Sequence, residues 1–283
     1  MAHIREIKKR IKSITSTQKV THAMELIAAT KMRKAQMAAL SGRAYANNLL
    51  EIIAQVKSRL ESISRPLLET KDAKNQIIIL ITSDRGLAGG LNINLFREIL
   101  RNDPKDTNFI TVGKKASVFA AKTSSDILAS FTSEEKSPLE LARLLAKMAT
   151  DAYLGSIAHK VSLLYPHFES TAKQTPKWVQ ILPIELNNQD PTAASNQPSD
   201  LIFEPNPQQI IKTLLPHYLL TQIYQILLEA KASEHSARMI AMKNATDAAG
   251  DLIEDLTLTY NQARQEAITK ELLDITTAQK AFE

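Results

Sequence analysis

The sequence predicts an α/β domain with a largely parallel sheet, set between two long helices that pair antiparallel as a coiled coil. Three observations predict it. All eleven prolines fall between Pro66 and Pro216. The first 65 and the last 67 residues hold one glycine each, Gly42 and Gly250, so the strongest helix breakers are nearly absent from both arms. Between the arms, apolar β-branched runs alternate with amphipathic stretches, as strands alternate with helices. The predicted organisation is an N-terminal helical arm over 1–65, a central α/β domain over 66–208 and a C-terminal helical arm over 209–283.

A helix of either arm's length reaches about 100 Å at 1.5 Å per residue. That is too long for the inside of a compact domain, so the arms either break into bundles or pack along each other. Periodicity favours the second. From Ile4 the residues Ile7, Ile11 and Ile14 step by three and four, as a heptad seam does. The register continues through Gln18, Thr21 and Glu25, then the narrow stretch Ala28, Met32, Ala35, Ala39, Gly42 and Ala46, and ends on Leu49, Ile53, Val56, Leu60 and Ile63. "SITST" at 13–17 is a poor helix former and the weakest part of the arm. In the other arm Ala237, Ala241, Ala245, Ala248, Leu252, Leu256, Thr259, Ala263 and Ala267 give a period of about 3.67, which predicts departure from a strict left-handed coil.

In the centre, "QIIILIT" is a buried strand by length and β-branching, "LNINLFREILR" a helix and "NFITVG" a second strand. "SPLELARLLAKMATDAYL" is a helix with Ser137 as N-cap and Pro138 at its first position. "HKVSLLYPHF" and "KWVQILPIEL" follow as strands, and 187–200 is a polar, proline-bearing loop. The alternation describes a Rossmann-like domain.

Composition excludes several classes of function. With no cysteine there are neither disulfides nor thiolate metal sites. The six histidines (His3, His22, His159, His167, His217 and His235) show no paired metal-binding spacing. No apolar run approaches the roughly 20 residues of a membrane span, and the basic N-terminus lacks the apolar stretch of a signal peptide. Charge is uneven: residues 1–43 carry ten Lys/Arg against Glu6 and Glu25, a net +8 in a chain of net +5. Such an arm suits an acidic partner: nucleic acid, anionic membrane or an acidic protein surface. A basic coiled coil that binds nucleic acid is the main alternative reading. It calls for aromatic or arginine-rich base contacts, whereas the first 65 residues hold one aromatic, Tyr45.

"TSDRGLAGGLN" at 82–92 follows the most apolar run and holds Gly86, Gly89 and Gly90. Strand, glycine-rich turn and helix can cradle a phosphate. This loop, however, has neither the GxGxxG nor the GxxxxGK[ST] spacing, and no lysine follows to hold phosphate. Ser83 and Arg85 are its only candidates for an anion, and Asp84 reads as the local ion-pair partner of Arg85.

The arms carry more specific blocks. "IREIKKRIKSITSTQKVTHAMELIAATKMRKAQ", "SDRGLAGGLN", "FEPNP" at 203–207 and "LLEAKASEHSARMIAMKNATDAAGDLIEDLTLTYNQARQEAITKELLDI" resemble the gamma subunit of the F-type ATP synthase over nearly the whole chain. The resemblance implies a rotor shaft whose paired helices stand inside a ring of alternating alpha and beta subunits. The α/β domain would sit below, against the epsilon subunit and the c-subunit ring. Proton-driven rotation of that ring would impose different conformations on the beta sites in turn. It implies no catalytic site, cofactor, metal or nucleotide on this chain.

Carried over position by position, Met24, Lys31, Arg33, Lys34 and Arg238 match residues beside loops of beta, and Arg264 with Gln265 match a pair that hydrogen-bonds a beta loop. Leu201, Phe203 and Glu204 match the foot that faces the c ring and epsilon. Ile268, Thr269, Glu271 and Asp274 fit the family's final motif, but Ala278-Gln279 replace its Gly-Ala, and Ala88 stands where many relatives carry cysteine. Without the chloroplast form's cysteine-bearing insertion or a transit peptide, the expected setting is a bacterial complex, peripheral at the cytoplasmic face of the inner membrane.

Overall fold

A computed structural model describes residues 2–58, 66–102, 106–123, 126–133, 135–184, 204 and 207–280. Its element order is α1 (Ala2–Ser58), β1 (Gln76–Ile81), α2 (Leu91–Asn102), β2 (Thr107–Val112), α3 (Lys114–Lys122), β3 (Asp126–Phe131), α4 (Pro138–Leu154), β4 (Lys160–Phe168), β5 (Gln174–Leu182) and α5 (Pro207–Lys280). The chain divides into two compact units, Met1–Ala29 with Arg238–Glu283, and Thr30–Ala237.

In the larger unit the five strands form one sheet in the order β3-β2-β1-β4-β5. β1 pairs parallel with β2 and β4, and β2 pairs parallel with β3; β4 and β5 are antiparallel. β1 is central and fully buried from Ile77 to Ile81, which is why it reads as a continuous apolar run rather than an alternation. On one face, α2 and α3 press Leu95, Ile99, Ala116 and Ala120 onto Ile78, Leu80 and Phe109. On the other, α4 packs with Leu49 and Ile53 of α1 and with an α5 stripe from Ile211 to Ala230. Ser137 caps α4 through a complete capping box with Glu140, and Pro138 opens the helix, as the sequence predicts.

Two elements, α3 and β3, have no counterpart in the sequence reading. The α3 stretch "KKASVFAAK" is short and buries only two alanines. β3 is an edge strand with an exposed first half and a register shift against β2 between Phe109 and Ile110. Neither shows the apolar periodicity that reveals an element in sequence; they are held by β2 beside them.

The N-terminal seam agrees with its heptad reading. From Ile4 to Ile53 every predicted position is buried or half-buried, and nearly every residue between them is exposed. Its last three positions, Val56, Leu60 and Ile63, lie outside the residues whose side chains are described. The C-terminal seam needs a correction. Ala248, Leu252 and Thr259 are exposed, and the covered stripe of the smaller unit is Met242, Thr246, Ala249, Ile253, Leu256, Tyr260, Ala263 and Ala267. These step by four and three, so α5 follows a heptad like α1; Ala237, Ala241, Ala245, Leu256, Ala263 and Ala267 of the predicted seam are half-buried, and the 3.67 period came from carrying it through the exposed Ala248, Leu252 and Thr259. Alanine is apolar enough to join either stripe, and pattern alone could not place it.

Polar residues in the seam set the register. Thr246 Oγ1 donates to Thr21 Oγ1 at 2.8 Å, and Gln18 Nε2 donates to the Thr246 carbonyl at 3.4 Å. A Cβ on Gly250 would lie 3.2 Å from that Gln18 nitrogen. Rising α1 numbers meet falling α5 numbers, so the helices of the smaller unit run antiparallel. In the larger unit Gly42 abuts Gln225 and Tyr45 meets His217, which gives the same direction.

The corrected register is testable. Ala249 is 7% exposed in the seam, so Ala249→Leu is expected to push the helices apart and cost about 1–3 kcal/mol. Ala248→Leu, one residue away and exposed, should change stability by less than about 0.5 kcal/mol. Thermal unfolding of the two variants side by side decides between the stripes; the opposite ranking would restore the original seam.

Candidate partner-binding surfaces

A sheet of order 3-2-1-4-5 reverses its winding between β1 and β4, and open α/β sheets bind ligands outside the strands' carboxyl ends at such a point. The glycine-rich loop leaves β1 there, but Thr82, Ser83 and one carboxylate oxygen of Asp84 are already engaged within the chain. The Ser83 N–H donates to Asn92 Oδ1 at 3.2 Å, Asn92 Nδ2 donates to Ser83 Oγ at 2.8 Å, and Ser83 Oγ donates to the Arg85 carbonyl at 2.7 Å. Thr82 Oγ1 accepts the Ala116 N–H at 2.8 Å. Asp84, expected to pair with Arg85, caps α3 by accepting the Lys114 N–H at 3.0 Å, a favourable place for a carboxylate at a helix N-terminus. The loop thus ties α2 and α3 to β1.

The crevice itself holds part of α5. Leu227 and Ala230, 2% and 4% exposed, lie with Lys231 against Ile81, Thr82 and Pro166. The remaining void is about 10 Å³, the room of a single water. Lys231 Nζ donates to the Ser133 carbonyl beyond β3 at 3.3 Å.

The arms present the larger unoccupied surfaces. Met24 is 38% exposed and lies off the seam, so it does not pack between the helices. Lys31, Arg33 and Lys34 are exposed and Arg238 is half-buried. Within the smaller unit, the Gln18–Thr246 contact places Met24 level with the turn at Arg238–Met242. Arg264 and Gln265, both exposed, lie roughly 30 Å further along at 1.5 Å per residue. The structure therefore divides the candidate residues of that unit into two sites. Glu204 is exposed; Leu201 and Phe203 lie outside the described residues.

Sequence reasoning missed one surface. From Ile268 to Thr277 every residue of α5 is exposed, Leu272, Leu273 and Ile275 at 58–59%. Val20, Leu26, Ile27 and Leu258 are exposed in the same way. The signal was available: the apolar residues Ile268, Leu272, Leu273 and Ile275 recur by three and four along α5. Exposed apolar residues on this scale mark contact with other chains.

These features define the class: a component of an assembly, with its ligand crevice filled by its own helix and its apolar faces turned toward partners. The chain belongs to the ATP synthase gamma-chain family. The family model described as ATP synthase matches residues 3–282. The chain is 39% identical over 292 residues to the ATP synthase gamma chain of Opitutus terrae, covering 99% of each chain, and 40% identical over 279 residues to that of Moorella thermoacetica, covering 97% of each. Among solved structures it is similar to a chain of the central stalk and c-ring of the Tetrahymena thermophila mitochondrial ATP synthase, at TM-score 0.60 and 25% identity over 80% of this chain and 99% of that one. Membership supports the shaft and leaves the nucleic-acid alternative without support.

Proposed function

We propose that this chain is the central rotor shaft of an F-type ATP synthase, coupling proton-driven rotation of a c-subunit ring to ATP synthesis or hydrolysis at beta subunits. The observation that carries the proposal is a pair of long helices, 57 and 74 residues, that run antiparallel within each unit while apolar residues stay exposed on the outside. Paired helices resist twisting, and their exposed apolar residues offer contact to a surrounding ring. The relatives named ATP synthase gamma chain and the similarity to a central stalk chain support the same role.

In this reading Met24, Lys31, Arg33, Lys34 and Arg238 face loops of beta, and Arg264 with Gln265 touch beta further up the ring. The exposed Ile268, Leu272, Leu273 and Ile275 pack against apolar surface of the surrounding ring. Leu201, Phe203 and Glu204 meet the c ring and epsilon. The chain is then peripheral at the cytoplasmic face of a bacterial inner membrane; among the described residues no helix is long and apolar enough to cross one. The test is reconstitution. Mixed with alpha and beta subunits, the chain should complete a hydrolytic complex in which a bead fixed to the α/β domain turns during ATP hydrolysis. Failure to join alpha and beta would overturn the proposal.

The shaft performs no chemistry of its own, and its glycine loop holds no nucleotide. Calorimetry of the isolated chain with magnesium and ATP is expected to show no site, because the loop has no phosphate-binding lysine, Thr82 and Ser83 are engaged within the chain, and α5 fills the crevice. A micromolar binding event would contradict the assignment.

A further inference from the structure

Helix α5 is fastened to the carboxyl side of the sheet at three places within eight residues. Glu229 takes three groups from the end of β4. Its Oε2 accepts the Tyr165 hydroxyl at 3.0 Å, and its Oε1 lies 2.6 Å from His167 Nδ1 and accepts the Phe168 N–H at 3.4 Å. Two residues on, Lys231 donates to the Ser133 carbonyl. Ser236 Oγ then donates to the Thr171 carbonyl, in the β4–β5 turn, at 2.7 Å. Tyr165 is 2% exposed. Burial first, and the adjacent Glu229 charge second, push its phenol far above the usual range, so it stays a donor to that carboxylate.

The apolar contacts of Leu227 and Ala230 oppose separation of α5 from the sheet, but apolar contact is non-directional and tolerates sliding. Hydrogen bonds to a charged acceptor are directional and stronger than neutral ones. Turning α5 by one residue moves a side chain about 100° around the helix, which would carry Glu229 away from all three of its β4 partners together. We propose that Glu229 is the positioning residue through which turning force passes between the α/β domain and helix α5. The role rests on the rotor-shaft reading and adds to it a specific joint, built from Glu229 with Tyr165 and His167 and flanked by Lys231 and Ser236.

The experiment uses the complete ATP synthase complex containing this chain, in sealed vesicles, with ATP hydrolysis and protons pumped per ATP measured together. Glu229→Ala is expected to retain hydrolysis and to lose protons pumped per ATP against an opposing gradient, with Glu229→Gln between it and the unmodified chain. A residue that merely stabilised the fold would lower assembly and hydrolysis together and leave that ratio unchanged. Unchanged pumping per ATP in fully assembled Glu229→Ala complexes would overturn the role. If that variant does not assemble, Tyr165→Phe removes one donor while keeping the ring, and an unchanged ratio there overturns the role equally. Failure of the unmodified chain to enter the complex would instead overturn the rotor reading, and this joint with it.

Discussion

Replacing Gly113 by alanine is expected to destabilise the α/β domain by about 3–5 kcal/mol, among the largest effects of any single substitution. Gly113 ends β2 and begins α3 at φ +96°, a conformation open in practice only to glycine. A Cβ there would lie 2.3 Å from the Thr82 carbonyl oxygen. That atom is main chain, in the segment leaving β1, so relief requires β1 and β2 to part where Thr82 N–H donates to the Val112 carbonyl at 2.8 Å. The same shift would disturb the Thr82 and Asp84 caps of α3. Gly86 is the control: nothing lies within 4 Å of its Cβ position, and alanine there should change stability by less than about 0.5 kcal/mol. Urea unfolding of both variants tests the pair, and an equal midpoint for Gly113→Ala would show that the strand ends separate freely.

The second large effect concerns rotation. Arg264 and Gln265 are exposed on α5, where the rotor reading sets them against a polar loop of beta. A guanidinium offers a planar fork of donors that lysine cannot copy. One charge-assisted hydrogen bond contributes roughly 1.5–3 kcal/mol. If that bond forms at one rotary angle and breaks at the next, its loss changes the limiting rate by about one to two orders of magnitude. Arg264→Ala combined with Gln265→Ala is therefore expected to leave the alpha–beta head assembled and to change both ATP turnover and coupled proton pumping. Turnover falls if the bond stabilises the barrier and rises if it stabilises the resting angle. Unchanged turnover at unchanged subunit stoichiometry would remove these two residues from the contact, without touching the identity of the shaft.

Different parts of the molecule were legible in sequence for different reasons. The N-terminal seam was readable because isoleucine and leucine at both ends anchor a register that Gln18, Thr21 and Glu25 interrupt without shifting. The C-terminal seam was misread because alanines occupy both the covered and the outward faces, and only the position of α1 decides between Ala248 and Ala249. β1 announced itself through five consecutive buried residues. β3 and α3 did not, because an edge strand with an exposed half and a nine-residue helix resting on two alanines carry too little apolar pattern. Of the partner-facing residues, Met24 and the basic cluster were reachable through family resemblance. The apolar end of α5 was written in the sequence, but its exposure is a tertiary property.

The sequence by itself determined the two long arms, the heptad seam of α1, the α/β centre and the family, because proline placement, periodicity and long specific blocks are all local properties of the chain. Only the tertiary structure decided what the glycine loop does and what occupies the crevice above it. Thr82 and Asp84 find the start of α3 about thirty residues later, while Glu229 reaches Tyr165 from 64 residues away and Lys231 reaches Ser133 from 98. Hydrogen bonds and packing at such separations depend on which elements the fold sets side by side, and no spacing within a short window carries that information.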